Sequence, residues 1–363
     1  MNQMTKRERV EATLSFQDTD RVPVYDLMVH DGAIEHFTGR RAPYGEEGVK
    51  LRCQAIGRML DMTRGADHGP AAPGEHANED GFVYYQEDRW IGGGIRQRPF
   101  SDESGARLWL QKAIDRLDKQ LREIDLKKHA SDFRERFLTI QGYIGDDTVV
   151  LHGQTGVGLD EVRAPLGIEL FSYLTADEPE LLSHYIESYT QLQEKIIHAI
   201  ADSRLSPCAL TYGDIACKGR LLHSPSYLRR EFFPRLKRLN DAWHEHGVKC
   251  LFHSDGDLME AIDDLIAAGC DGLNPIEIVA GMSLMDTRQA SGRALFLAGG
   301  IDISQLMAHG TPEEVREVCR RAIADACPGY FIGSTTELDN GSRLENIITM
   351  LDVAWHSGPV KGR

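Results

Sequence analysis

The chain has 363 residues, of which 41% are hydrophobic and 27% charged, an ordinary composition for a globular protein. Its 41 Lys+Arg against 56 Asp+Glu give a net charge of −15, which argues against nucleic acid or an anionic membrane as a partner but allows a local basic pocket. The seven cysteines are scattered without a CxxC pair, as suits a reducing cytoplasm. There is neither a signal-like apolar run at the N-terminus nor any stretch near the about 18 apolar residues of a membrane span.

In chain order, residues 5–16 read as a short helix ended by the polar turn Gln17-Asp18-Thr19-Asp20, and Arg21-Val22-Pro23-Val24-Tyr25 follows as a strand. Residues 81–100 are aromatic and β-branched, then carry Gly92-Gly93-Gly94, which predicts a β-hairpin insertion. Residues 105–140 return to a helical pattern. From about residue 148 short apolar strands alternate with amphipathic helices. Thr148-Val149-Val150-Leu151 is followed by a helix over 177–204, and Cys208 to Tyr212 by a helix over 226–246 opened by Ser224-Pro225. Strands at 249–252, 272–274, 294–298 and 330–332 then pair with helices at 257–268, 283–290, 303–308 and 343–355. A further helix opens on the capping box Thr311-Pro312-Glu313-Glu314. This rhythm predicts an α/β fold, a (β/α)₈ TIM barrel with an N-terminal helical segment and the hairpin insertion, as one domain over 1–363. A doubly wound sheet is the alternative; the number of units and the lack of GxGxxG after a strand favour the barrel.

Functional groups of such barrels lie where strands end. The polar residues there are Tyr25-Asp26, His152-Gly153-Gln154, Tyr212-Gly213-Asp214, His253-Ser254-Asp255-Gly256-Asp257, Asn274-Pro275-Ile276-Glu277, Gly299-Gly300-Ile301-Asp302 and Gly333 to Glu337. His253 ends an apolar strand with Asp255 two residues on, and Glu277 ends the next strand. One nitrogen and two carboxylates on one rim suit a divalent metal with open positions. The competing reading is that Asp255 or Asp257 caps the following helix. Asp214 is a candidate general base or substrate anchor, or else a turn former. Tyr212, His152 and Asn274 are candidate substrate-binding groups. Lys218, Arg220 and His223 could meet an anion or simply face solvent. Trp90, Tyr84 and Tyr85 could wall a pocket or form a small local core.

Several segments carry a family likeness: Met4 to Val10 with Asp20-Arg21-Val22-Pro23-Val24, Ser224-Pro225 with Glu231-Phe232-Phe233-Pro234, Phe252 to Asp257, Gly299-Gly300-Ile301-Asp302, and Gly329-Tyr330 to Glu345-Asn346-Ile347. In order and spacing they resemble the uroporphyrinogen decarboxylase-like superfamily. The resemblance implies the (β/α)₈ barrel and two chemistries, cofactor-free decarboxylation and metal-dependent methyl transfer linked to corrinoids. The decarboxylase branch carries an arginine-rich segment after the first strand, where this chain reads Tyr25-Asp26-Leu27-Met28-Val29-His30-Asp31. The methyltransferase branch uses His-x-Cys, a Glu one strand later and a final Cys, positions held here by His253, Asp255, Glu277 and Ser334.

The implied protein is a cytoplasmic methyltransferase or demethylase. It would move a methyl group between a small O- or N-methyl substrate and a corrinoid, such as a cobalamin, which is free or presented by a corrinoid protein. His253, Asp255 and Glu277 would hold a divalent metal, zinc or a harder ion, with Asp214 and Ser334 as catalytic candidates. The likeness also allows a homodimer. The alternatives are a cofactor-independent decarboxylase of a small carboxylated substrate and a non-catalytic corrinoid- or tetrapyrrole-binding barrel.

Overall fold

The computed structural model describes residues 3–90 and 92–362; Ile91, inside the predicted hairpin, lies outside them. Eight strands set the architecture: β1 Tyr25–Asp26, β2 Met62–Thr63, β3 Val149–Val150, β4 Cys208–Tyr212, β5 Lys249–His253, β6 Gly272–Asn274, β7 Phe296–Ile301 and β8 Tyr330–Ser334. β1, β2 and β3 pair in parallel, and so do β4 through β8 in chain order. Gln154–Gly156 continues β3 after a short break and pairs in parallel with β4, while the His152 N–H reaches the Cys208 carbonyl at 2.7 Å. At the other end Val24 bridges Ile332 in parallel, and the Ile332 N–H donates to the Pro23 carbonyl at 3.0 Å. Hydrogen bonds therefore pass from β1 through β8 and back to β1. Gly333 permits the last step, since a Cβ there would lie 1.9 Å from the Tyr25 carbonyl oxygen.

Side chains alternate across these strands with period two. Tyr25, Met62, Val149, Leu151, Cys208, Leu210, Leu251, Phe296, Ala298 and Phe331 form one buried cluster inside the ring. Ala209, Cys250, Phe252, Leu297 and Ile332 turn outward into the larger core shared with the helices. Val10, Leu14 and Phe16 join the inner cluster from the helix Lys6–Leu14, whose Thr5–Glu8 capping box fixes its start. Behind this helix, buried Asp61 accepts from Arg9 Nη1 (2.7 Å), Arg21 Nη2 (2.8 Å) and the Val24 N–H (2.9 Å), tying the first segments together.

Most predicted elements fall where expected; the strand expected over 21–25 is shifted to Tyr25–Asp26, the helix expected over 257–268 is a 3-10 turn Met259–Ala261 followed by Ile262–Ala267, and four larger differences remain. The insertion is a three-stranded antiparallel sheet, Gly74–Ala77, Val83–Gln86 and Gly92–Gln97. Its Phe82 packs edge-on to Phe100 and Trp109, so a local core is what it builds. The helical region after it is two helices, Glu103–Glu123 and Leu126–Ile144. The predicted helix over 226–246 divides into Pro225–Glu231 and Phe233–His244, because Pro234 cannot continue the first but suits the opening turn of the second. Residues Ile303–Met307 form a wide π-type turn, held by Asp302, whose carboxylate accepts from the N–H groups of Ser304, Gln305 and Leu306. No described helix is long and apolar enough to cross a membrane.

Candidate functional site

Leu251 points into the ring, so His253, two residues on, points the same way at the C-terminal end of β5. Its Nδ1 lies 2.7 Å from Asn274 Oδ1, at the register position directly opposite on β6. Asn274 Nδ2 donates to the Ala298 carbonyl at 3.1 Å, which fixes the amide orientation and leaves its oxygen facing the imidazole. Nδ1 must therefore carry the proton, and Nε2 keeps its lone pair. Burial, helped by the Arg64 charge, pushes the His253 pKa down to about 3, so the ring is neutral at physiological pH.

Facing Nε2 are the carboxylates of Asp214, after β4, and Asp255, after β5; one ligand atom from each of the three residues lies within 4.8 Å of the others. His253 Nε2 is 3.9 Å from Asp255 Oδ1. The turn from β5 holds both acids: the Asp255 N–H donates to Asp214 Oδ1 (3.2 Å) and the Gly256 N–H to Glu277 Oε2 (2.6 Å). Gly256 has φ +96°, and a Cβ there would meet the Ala216 carbonyl carbon at 2.4 Å, so this turn requires glycine. Asp214 is braced from outside, its N–H donating to Asp160 Oδ2 (2.8 Å) and its carbonyl accepting from Arg163 Nη1 (2.6 Å). Burial and the neighbouring charges of Asp214 and Glu277 push Asp255 up to about 6. Such mutual repulsion is what a bound cation would relieve, and neutral imidazole with two carboxylates is a donor set that fits a divalent ion.

On the opposite side Thr336 Oγ1 donates to Asp255 Oδ1 at 3.2 Å. Thr336 has φ +100°, a costly conformation for a β-branched residue. Asp26 is 1% exposed and accepts from the Ser334 N–H (2.8 Å) and hydroxyl (2.7 Å). Burial raises Asp26 to about 7, against the pull of these hydrogen bonds and of Arg64. Arg64, just beyond β2, is 7% exposed and donates from Nη2 to the Thr336 carbonyl at 3.2 Å.

The predicted site residues divide accordingly. His253, Asp255 and Asp214 come together. Glu277 does not enter that group; its carboxylate is turned onto the Gly256 N–H, and Asp214 stands where it was expected. Ser334 is not an open nucleophile or ligand, because its hydroxyl is given to Asp26. Asn274 spends both ends of its amide on His253 and Ala298, so it orients the imidazole. Tyr212 leans over Gly156 with its hydroxyl on Glu161, which also takes the Tyr189 hydroxyl. His152 faces outward, since Leu151 before it faces in. It stacks on Phe133 at 5.4 Å and accepts from the Asp202 N–H at 2.8 Å, in the helix layer away from the cluster. Asp257 caps the next turn through the Met259 N–H (3.0 Å). Sequence reading missed Arg64, Asp160 and Arg163. A lone arginine after a two-residue strand carries no periodic signal, whereas Asp160 and Arg163 share the i, i+3 spacing of an ion pair on one helical turn.

These features define an α/β protein of parallel strands with a histidine–carboxylate cluster at their C-terminal ends. Residues 166–356 match the uroporphyrinogen decarboxylase (URO-D) family, and the chain belongs to it. Among solved structures it is similar to a methyltransferase from Methanosarcina mazei, with a TM-score of 0.70 and 17% identity over 97% of this chain and 98% of that one. At that identity the likeness is one of fold. A β-L-arabinopyranosidase from Geobacillus stearothermophilus aligns with a TM-score of only 0.38 and 9% identity, over 93% of this chain and 76% of that one, and carries no argument. No curated protein matches the sequence.

Proposed function

We propose that the chain is a single (β/α)₈ barrel acting as a metal-dependent methyltransferase or demethylase, moving a methyl group between a small O- or N-methylated substrate and a corrinoid. The observation that carries this reading is the free Nε2 of His253, locked by Asn274 and facing Asp214 and Asp255. Family membership supports it, as does the description of the similar solved structure as a methyltransferase. His253, Asp255 and Asp214 would hold the ion. Glu277 supports them by fixing the Gly256 amide, Thr336 by holding Asp255, and the Asp160–Arg163 pair by bracing Asp214. A divalent ion there would serve as a Lewis acid toward the oxygen or nitrogen that bears the methyl group. The open strand ends would receive the corrinoid, free or on a partner protein. Oxygen and nitrogen ligands make a harder site than thiolates, which favours O- or N-methyl over thiol substrates.

The test is metal analysis of protein purified without a chelating tag, followed by incubation with methylated donors and cob(I)alamin. Bound divalent metal and loss of the cob(I)alamin absorbance with one donor class are expected, both abolished in His253→Ala. Absence of metal and of any absorbance change across a broad donor panel would overturn the proposal. A second reading, decarboxylation of a small carboxylated substrate, is favoured by the buried cation Arg64 beside the cluster. It predicts carbon dioxide release with no corrinoid present.

A further inference from the structure

Arg64 is the least satisfied charged group at the strand ends. It is 7% exposed, yet it makes no ion pair within 4.0 Å among the described residues. Among the described residues its side chain makes one hydrogen bond, from Nη2 to the Thr336 carbonyl, and its buried Nε has no partner. A buried guanidinium normally has its donors matched, ideally two at a time, by a carboxylate or phosphate. Leaving one unmatched costs the desolvation of a charged donor.

The side chain is aimed into the cluster. The residue it grips, Thr336, holds Asp255 through its hydroxyl and adopts a strained φ of +100° to do so. Arg64 acts electrostatically on His253, Asp255, Asp26 and Glu337, which belong to three different strand ends. None of those acids closes on it. Asp26 is committed to Ser334, and Asp255 to Thr336 and the cation site. What remains is a fixed positive donor edge beside the lone pair of His253.

From this geometry we infer that Arg64 anchors an anionic group, a carboxylate, on the substrate, so that the substrate class is a small methylated carboxylic acid. The inference rests on the strand-end cluster being the reaction centre. The guanidinium would take the carboxylate end-on, through Nη1 and the second hydrogen of Nη2, the edge that faces away from the buried Nε. The group to be transformed would then lie toward His253, Asp214 and Asp255. A neutral analogue of the same shape would leave Arg64 unmatched and be rejected, as sites built around buried polar donors reject ligands that lack the acceptor.

Isothermal titration calorimetry on the purified protein tests this with two matched pairs, methoxyacetate against methoxyacetamide and 4-methoxybenzoate against 4-methoxybenzamide. At least one carboxylate should bind, its amide roughly 10- to 100-fold more weakly, and Arg64→Gln should lose the same factor for the carboxylate alone. Arg64→Lys, which keeps charge but not the two-donor edge, should lie between, and it provides the measurement if the glutamine variant does not fold. Metal content of each variant is read in parallel. Retained metal with no preference for carboxylate over amide, or with no carboxylate bound at all, overturns the Arg64 assignment while leaving the metal reading standing. Carboxylate preference in protein that takes up no metal supports the assignment and defeats the metal reading instead. Unchanged carboxylate affinity in both arginine variants would reduce Arg64 to a counter-charge for Asp26 and Asp255.

Discussion

Asn274 holds the imidazole of His253 by its Nδ1–H at 2.7 Å, and in doing so leaves Nε2 as the only open position on the ring. Its own Nδ2 is anchored on the Ala298 carbonyl of β7, so the orientation of the histidine is set by two neighbouring strands. A histidine fixed through its second nitrogen in this way is arranged as a ligand, with its tautomer chosen in advance.

Asn274→Ala should therefore lower metal affinity by about 10- to 100-fold while leaving all three proposed ligands in place. Chelator-competition titration would measure it. The same change strands the His253 N–H and the Ala298 carbonyl, costing about 1–3 kcal/mol of stability in urea unfolding. Unaltered metal affinity in the folded variant would show that Asn274 has no orienting role.

Asp214 and Glu277 provide a sharper comparison, because both are acids at the ends of the two strands that flank β5. Asp214 shares the cluster with His253 and Asp255, while Glu277 is engaged with the Gly256 N–H. Asp214→Ala is expected to abolish stoichiometric metal, and Glu277→Ala to weaken binding by a smaller factor through loosening of the 255–257 turn. Metal analysis of the two variants side by side decides the matter; the reverse order would place Glu277 in the ligand set.

How far this site could be read from sequence depended on strand length. β4 and β5 each have five residues, and their apolar alternation placed Asp214, His253 and Asp255 at one rim. The register His253↔Asn274 was implicit in the strand ends, but that Asn274 spends its amide on its neighbours is a matter of side-chain orientation. Glu277 follows Ile276, whose φ of +58° turns the loop back toward Gly256, a reversal that composition does not signal. β2 is two residues long, too short for any period, and Arg64 was lost with it. His152 was misplaced by one position of the alternation, since Leu151 takes the inward place.

Asp26 gives the metal-free protein a pH dependence with a definite sign. Its pKa is raised from 3.8 to about 7 by burial, with Glu337 adding to the shift and Ser334 and Arg64 opposing it. A raised folded-state value means the native state binds the proton more tightly than the unfolded chain. This contribution is fully present below about pH 4 and is lost as pH rises through about 7. Its size is on the order of 4 kcal/mol. Asp26→Asn keeps an oxygen for the Ser334 N–H and never ionises, so its stability should exceed that of the unsubstituted protein at pH 8 and match it near pH 4. Urea unfolding across that range would show it, and parallel curves would refute the assignment.

The opening segments that carry the family likeness serve the other end of the strands. Asp61 receives Arg9 Nη1 (2.7 Å), Arg21 Nη2 (2.8 Å) and the Val24 N–H, and Arg9 in turn holds Asp20 at 2.7 Å. Asp61 and Arg9 are buried, so removing one charge leaves the others uncompensated and costs about 3–5 kcal/mol. Asp61→Asn should lower the unfolding free energy extrapolated from urea by that amount, with metal stoichiometry and carboxylate binding of the folded protein unchanged. The site draws on the C-terminal ends of β2, β4, β5, β6 and β8, whereas Asp61 precedes β2. Loss of metal in folded Asp61→Asn protein would therefore mean that the two ends of the strands are coupled.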